Sequence, residues 1–320
     1  MTTLQHSLAT TAASPSRERS LTWLTFAMLT TLTVAMGGLV FDPRTIAGAP
    51  AWLKPAKFAL SAALYSATLV LVLRHLGGWP RVRRAIAWTT TGVFVLEVAL
   101  VIVQAVRGTT SHFNVATPLD SAIFGVMGAA IFAQTAVSAL AIPALWRTHI
   151  EDAALGASLR AAMVITVCGA LAGGLMTAPT ATQLEHARAT GDMPVSGAHT
   201  VGAPDGGPGL PGTAWSRDHG DLRIPHFVGL HALQVLPLLA LLLRGVAPAR
   251  RVALVRTAIV SYATLFALVL LQAWLGQPLL APGPVVGPLL GLWAAATTVG
   301  AWTAGRRSAP SVAWQTAVRA

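Results

Sequence analysis

Polar side chains inside long apolar stretches are the residues of this chain that could carry chemistry. One such stretch is Asp218–Arg244, DHGDLRIPHFVGLHALQVLPLLALLLR, which passes from a charged segment into a membrane-length apolar run. The first turns of that run contain His226, His231 and Gln234. Polar groups at such depth cost free energy unless something satisfies them, so the stretch is a functional-site hypothesis. His231 and Gln234 share a helix face, but His226 and His231 are about 140° apart around a helix and do not form a chelating i,i+4 pair.

Glu97 is the only carboxylate well inside a predicted membrane span. It lies about two thirds of the way along the third span, with Gln104 seven residues on and therefore on the same helix face. Arg107 follows at the end of that span. An isolated charge at this depth is expensive, so we expect Glu97 to pair with a cation or to be protonated. A proton-carrying site and a neutral glutamic acid that hydrogen-bonds a neighbouring helix are both open at this point.

His112 and Asp120 are predicted at the same membrane level as the polar end of the third span, and Arg223 opens the sixth. The predicted ligand-binding residues are Glu97, Gln104, Arg107, His112, Asp120, Arg223, His226, His231 and Gln234. Histidines with carboxylates also suit a metal, so His112, His226 and His231 are the candidate ligands of a metal ion or a b-type haem. No spacing among them is diagnostic of zinc or a two-iron centre, so no cofactor is predicted. The catalytic residues, and whether the protein is an enzyme, stay open.

The composition places these residues in a membrane protein. The chain is 54% hydrophobic and only 10% charged, with a mean hydropathy of +0.63, whereas soluble domains have about 25% charged residues. Apolar runs long enough to cross a bilayer recur along the sequence. We predict an all-α membrane protein with eight transmembrane helices. The net charge of +11 comes from basic residues in short connectors, which indicates membrane orientation and excludes nucleic acid as a partner.

The spans divide the chain into segments with distinct expected roles. We predict that residues 179–223 form an extracytoplasmic loop, because the Gly/Pro-rich run within it disfavours helix and strand. The predicted segments are a cytoplasmic tail (1–20), a first four-helix half (21–146), a connector and fifth helix (147–178), this loop (179–223), helices six to eight (224–304) and a second cytoplasmic tail (305–320). Within them we predict the fourth span as one helix, Leu119–Trp146, with a loop at 41–57 and a connector at 147–160.

The basic residues orient the predicted spans. With a cytoplasmic N-terminus, 15 of the 22 Lys and Arg residues fall on the cytoplasmic side and 7 on the other. Cytoplasmic loops carry the excess of basic residues, so we predict a bacterial inner-membrane protein with both termini in the cytoplasm.

The two halves of the chain resemble one another. LVIVQAVRG at Leu100–Gly108 aligns with LVLLQAWLG at Leu268–Gly276, and the pair Arg83-Arg84 before the third span matches Arg250-Arg251 before the seventh. Gly37-Gly38-Leu39 similarly matches Gly173-Gly174-Leu175, and WLKPAKF weakly matches DLRIPHF. These matches indicate two parallel four-helix repeats, an arrangement known in transporters. Chance alignment of Leu/Ala/Val-rich helices is the alternative.

The segments APDGGPGLP, WSRDHGDLRIPHFVGLHALQ (which contains GDLRIPHFVGLHALQ) and RGTTSHFN resemble stretches of uncharacterised bacterial multi-pass membrane proteins. The resemblance covers the outer loops and the sixth helix. It implies a multi-pass membrane protein and no particular activity.

Three functions fit these observations. We favour a transporter that binds a small solute or ion from the extracytoplasmic side, with the lipid bilayer as its other partner and with Glu97 as the proton-coupling group. The second is a membrane redox protein that holds haem or a metal through His112, His226 or His231. The third is a structural membrane subunit that docks through the 179–223 loop. The sequence allows an oligomer and does not name the solute.

Overall fold

The computed structural model describes residues 19–306. The predicted tails, 1–20 and 305–320, therefore lie almost entirely outside the described residues. Helices make up most of the described chain, together with two short antiparallel hairpins, β1 (Thr45–Ile46) with β2 (Ala49–Pro50), and β3 (Thr200–Val201) with β4 (Gly220–Asp221). The helices are α1 (Arg19–Phe41), α2 (Leu53–Arg74), α3 (Pro80–Val106), α4 (Pro118–Ala139), α5 (Ala141–Arg147), α6 (Ala153–Gly174), α7 (Ala181–Thr190), α8 (Arg223–Leu242), α9 (Pro248–Trp274) and α10 (Val286–Gly305).

Seven helical segments of the described chain are long and apolar enough to cross a membrane. They are Arg19–Phe41, Leu53–Arg74, Pro80–Val106, Pro118–Arg147, Ala153–Thr190, Arg223–Gly245 and Pro248–Trp274. The expected eighth span forms a helix of 20 residues, α10. It is not among those seven, because Gly, Thr and Trp residues interrupt its apolar sequence. The all-α class of a multi-pass membrane protein is thus confirmed, with seven spans by length and apolarity.

The described chain divides into two compact units. The first contains residues 19–112 and 119–148, and the second contains residues 113–118 and 149–306. In the first unit α1, α2 and α3 pack against one another, and in the second α6, α8 and α9 do the same while α10 packs on α9. A core cluster of Val101, Ile123 and Met127, with Phe58 packed against it, joins α2, α3 and α4 of the first unit.

The third membrane-length helix of each unit, α3 in the first and α9 in the second, is built in the same way. α3 and α9 are both 27 residues long, and each has proline at its start, where the missing N–H costs nothing. Each ends in a left-handed glycine, Gly108 with φ 74° and Gly276 with φ 71°, the usual residue for that backbone conformation. The residue after each glycine donates its backbone N–H to the backbone carbonyl oxygen of a glutamine at 3.0 Å. The acceptor is Gln104 in the first unit and Gln272 in the second.

Several predicted boundaries were wrong. The fourth span was expected as one helix from Leu119 to Trp146, but it breaks at Leu140 into α4 and α5. Pro143 lacks the N–H that a continuous helix needs at that position. The connector predicted at residues 147–160 is helical from Ala153, because the side chain of Asp152 accepts the N–H of Leu155 at 3.0 Å and caps α6.

The predicted loops also contain more structure than expected. Residues 41–57 form the β1–β2 hairpin and the first turn of α2. The 179–223 segment contains α7 and the β3–β4 hairpin, although we expected neither helix nor strand there. A capping box between Thr180 and Gln183 starts α7, and Gly191 ends it in the left-handed conformation. Both are readable in the sequence as T-x-x-Q followed by glycine.

Candidate functional site

The predicted site residues fall into two sets. Glu97, Gln104, Arg107, His112 and Asp120 belong to the first unit, and the other four belong to the second.

Glu97 is the most unusual residue of the first set. It projects from α3 with only 2% of its surface exposed. Among residues 19–306, neither of its carboxyl oxygens has a hydrogen-bond partner. Lys54, at the start of α2, attracts this carboxyl group electrostatically. A buried carboxyl group without hydrogen bonds is costly in either protonation state, and far more so when ionised.

Glu97 belongs to a polar line along one face of α3. Arg83, Thr90, Glu97 and Gln104 recur at intervals of seven residues, which places them on one face of a helix. All four are buried, with exposures of 7%, 0%, 2% and 0% respectively. The third helix of the first unit therefore carries polar groups inside the protein along most of its length.

Thr90 anchors a polar network on the N-terminal side of Glu97. The amide nitrogen of Gln134, on α4, donates to the hydroxyl of Thr90 at 2.8 Å and to that of Ser138 at 3.0 Å. Ser138 in turn lies 3.3 Å from the hydroxyl of Tyr65 on α2. The network links three helices, and the carbonyl oxygen of Gln134 has no partner among the described residues.

Gln104, Arg107 and Asp120 come together at the C-terminal end of α3. The Arg107 guanidinium donates to the Asp120 carboxylate at 2.6 Å and also to the side-chain amide oxygen of Gln104. The amide nitrogen of Gln104 donates to the same carboxylate at 2.8 Å and to the backbone oxygen of Thr110 at 3.3 Å. The carboxylate is nearly buried, with 6% of its side chain exposed, against 34% for Arg107. These three residues satisfy one another and fasten the start of α4 to the end of α3.

His112 lies in the segment that follows α3. Its Nδ1 is 3.1 Å from the hydroxyl of Ser111, and its ring packs edge-on against Phe58 at a centroid distance of 5.4 Å. The ring therefore contacts the same phenylalanine that packs on the core of the first unit.

Arg223 has a structural role at the start of α8. Its guanidinium donates to the carboxylate of Asp221 at 2.6 Å and to the backbone oxygen of Ala214 at 2.6 Å. Asp221 is fully buried and also accepts the backbone N–H groups of Ser216 at 2.8 Å and Arg223 at 3.0 Å. The pair therefore fixes the connection between α8 and the segment that precedes it, residues 179–222, called the extramembrane segment below.

His226 fits between two helices. Its Nδ1–H donates to the carbonyl oxygen of Gly169 on α6 at 2.8 Å. A Cβ at Gly173 would lie 2.5 Å from the same imidazole nitrogen, so the ring occupies the space that glycine leaves. One turn further along α8, Gly229 meets Gly169 backbone to backbone. α6 and α8 thus cross at a G-x-x-x-G sequence, Gly169 to Gly173, which lets helix backbones approach closely.

His231 has a different environment from His226. Its ring packs on Phe227 at a centroid distance of 4.1 Å, and Phe227 in turn contacts Trp215 at 5.5 Å. The side chain of Gln234 lies beside His231, as residues three positions apart on a helix can. This places an imidazole and an amide side by side in a partly buried aromatic setting.

The extramembrane segment before α8 contains a further histidine–aspartate contact. His199 Nδ1 lies 2.7 Å from the Asp205 carboxylate, which also accepts the N–H groups of His199 and Thr200 at 3.0 and 2.8 Å. Burial opposes ionisation of Asp205, but the imidazole and these two N–H groups hold the pKa of its carboxyl well below its usual range. The ring of His199 packs on Phe113 at a centroid distance of 4.8 Å.

Residues 19–306 contain no group of three or more His, Cys, Asp or Glu side chains arranged to hold a metal ion. The haem and metal interpretation of His112, His226 and His231 stays a prediction.

Two features of the site were missed at the level of sequence. The G-x-x-x-G of α6 is a recognisable signal for close helix packing in an apolar helix, and it accounts for the position of His226. The seven-residue spacing of the polar line on α3 is equally readable, but Arg83 and Thr90 were not connected with Glu97. Gln134 gave no sequence signal, because its partners lie on other helices.

Comparison with protein-family models, with curated proteins and with solved structures gives no match.

Proposed function

We propose that this protein is a transporter of a small solute or ion in the bacterial inner membrane, with both termini in the cytoplasm and Glu97 as its proton- or cation-binding group. The observation that carries the proposal is the Glu97 carboxyl group, 2% exposed and without a hydrogen-bond partner among residues 19–306. A carboxyl group that only stabilises the fold would be hydrogen-bonded. An ionisable residue inside a membrane helix commonly marks an ion or proton pathway.

The surroundings of Glu97 support a path for protons along α3. On one side, two turns away, is the network of Thr90 with Gln134, Ser138 and Tyr65. On the other side, Gln104 and its partners lie at the predicted extracytoplasmic end of the helix. Glu97 is the titratable group between these two polar clusters. A group in that position receives a proton from one cluster and passes it to the other.

A second line of support is the proposed internal repeat of two four-helix units, with α10 as the eighth span. α3 and α9 start at Pro80 and Pro248, 168 residues apart, and α4 and α10 start at Pro118 and Val286 with the same offset. At this offset Gln104 matches Gln272, whose amide nitrogen likewise donates to the backbone oxygen six residues on, that of Pro278 at 2.6 Å.

The same offset separates structural from functional positions on the polar line. Arg83 matches Arg251, which binds the backbone oxygen of Ala240 at 2.7 Å and the carboxylate of Asp152 at 2.8 Å. α9 therefore has the same residue types as α3 at both ends of the polar line, arginine at one end and glutamine at the other. Its middle is not kept, because Ala258 and Leu265 stand where α3 has Thr90 and Glu97. Because α9 keeps both ends of the line but has no carboxyl group in its middle, a helix of this kind does not need that group in order to fold. Glu97 therefore has a functional role and not a structural one.

The test compares the parent with Glu97→Gln and Glu97→Leu, the second of which carries the residue of the matching position in α9. Each full-length protein is reconstituted into liposomes, a pH gradient is imposed, and the solutes taken up from a defined mixture are measured by mass spectrometry. Thermal unfolding in detergent is measured in parallel. We expect both variants to lose gradient-driven uptake. We also expect Glu97→Leu to unfold at the parent's temperature or above, because it removes a buried polar group without a partner.

The outcomes separate the two parts of the proposal. Equal uptake by the parent and Glu97→Gln would overturn the role of Glu97 in proton coupling. Uptake by the parent no greater than that of protein-free liposomes would overturn transport of the solutes in the mixture. A marked loss of stability in Glu97→Leu would show that the carboxyl group supports the fold, and it would remove the main argument for a functional role.

A further inference from the structure

A basic groove lies between the first turns of α1 and the first turns of α3 in the first unit. Its volume is about 400 Å³, and its lining includes three arginines, Arg19, Arg83 and Arg84, and two tryptophans, Trp23 and Trp88. No acidic residue within the described range, 19–306, lines it. Three guanidinium groups around one cavity repel one another unless an anion balances them.

Two of the arginines are available to such an anion. Arg19 and Arg84 are exposed, and neither makes a hydrogen bond or ion pair with any other residue in the described range. Arg83, by contrast, is 7% exposed and fixed in the wall of the groove. The planar guanidinium group presents N–H donors that can bind two phosphate oxygens at once. Phosphate is therefore the anion that best matches these two arginines.

The tryptophans indicate what the phosphate is attached to. Trp23 and Trp88 are 71% and 66% exposed, one on each of the two helices and each about one turn further into the span than the neighbouring arginine. Exposed tryptophans near the ends of membrane helices lie at the level of the lipid head groups. Basic pockets between transmembrane helices, on the cytoplasmic side, are a recognised setting for anionic lipid head groups.

We infer that this groove binds the head group of an anionic phospholipid. Arg19 and Arg84 hold the phosphate, Arg83 contributes positive charge from the wall, and the tryptophan rings flank the glycerol and upper acyl region. The inference does not depend on transport, since a lipid site of this kind suits any multi-pass protein with these helices.

The experiment is lipid binding to the detergent-solubilised full-length protein, followed by native mass spectrometry. Phosphatidylglycerol is titrated against the parent, Arg19→Gln, Arg84→Gln and the double variant, with phosphatidylcholine as the zwitterionic comparison. Arg81→Gln is the matched control, because Arg81 is exposed and lies three residues from Arg84 but does not line the groove. Thermal unfolding of each variant verifies that it is folded.

We expect the parent to prefer phosphatidylglycerol to phosphatidylcholine. We also expect binding about fivefold weaker for each arginine removed from the groove, which is the usual contribution of a basic residue at an anionic surface. Arg81→Gln should bind like the parent. Equal binding of the two lipids would overturn the inference, as would equal losses in Arg81→Gln and Arg84→Gln. Displacement of phosphatidylglycerol by millimolar inorganic phosphate would identify a free-phosphate site and would also overturn it.

Discussion

Replacing Gly169 by alanine is expected to destabilise the second unit, although alanine is ordinarily the better residue inside a helix. A Cβ at position 169 would lie 2.6 Å from Cα of Gly229 and 2.8 Å from the backbone nitrogen of Leu230. Ordinary contacts begin near 3.4 Å, so α6 and α8 must separate by roughly 1 Å, as backbone atoms have no alternative rotamer. The hydrogen bond from His226 to the Gly169 oxygen, now 2.8 Å, would lengthen with that movement.

The expected magnitude follows from two opposing contributions. Forcing an extra methyl group into a packed contact costs about 1–3 kcal/mol. Replacing glycine by alanine in a helix gains about 0.5–1 kcal/mol. The net loss is therefore about 0–2.5 kcal/mol, with a midpoint near 1 kcal/mol. Each kcal/mol lowers the unfolding temperature of a domain of 150–250 residues by about 2–4 °C.

Gly174→Ala is the matched control for this substitution. Gly174 is the last residue of the same helix, and a Cβ there would meet no atom within 4 Å. Thermal unfolding of parent and variants is followed in one detergent at one scan rate. We expect Gly174→Ala to unfold at or above the parent's temperature and Gly169→Ala below it. Equal midpoints for the two variants would refute the close crossing of α6 and α8 at Gly169.

Two further predictions concern the extramembrane segment and the histidines. Because the pKa of Asp205 is lowered by His199 and by two backbone N–H groups, its contribution to stability is present above the usual value of about 3.8 and is lost as the pH falls below it. Pepsin should therefore cleave between Pro194 and Asp221 faster in Asp205→Asn than in the parent at pH 5, and this ratio of rates, which cancels the pH dependence of pepsin itself, should be smaller at pH 3. The same ratio at both pH values would contradict this. For the purified protein we expect an absorption spectrum without a Soret band, and a strong band that disappears in His231→Ala would instead favour the haem-binding redox protein over the transporter.

The amino-acid sequence by itself determined the class of this protein and the approximate position of its helices. An apolar run long enough to cross a bilayer must satisfy its backbone within a helix, whatever its neighbours are. The starts of α3 and α9 at Pro80 and Pro248 are likewise local, since proline fits the first helical turn. Glu97 was recognisable in the sequence for the same reason, because a carboxylate inside an apolar run is unusual whatever its neighbours in the fold are.

Only the tertiary structure decided which polar groups satisfy one another. The carboxylate of Asp120 accepts hydrogen bonds from Arg107 and Gln104 across the turn between α3 and α4, a pairing that their spacing in the sequence does not specify. The Nδ1 of His226 donates to a carbonyl oxygen 57 positions away, that of Gly169, which no local pattern in the sequence indicates. Hydropathy and helix caps depend on a residue and its chain neighbours, whereas a hydrogen-bond partner is set by which helices pack together and at what rotation. The same packing left Glu97 buried and without a hydrogen bond among the described residues, a property that its sequence neighbours do not encode.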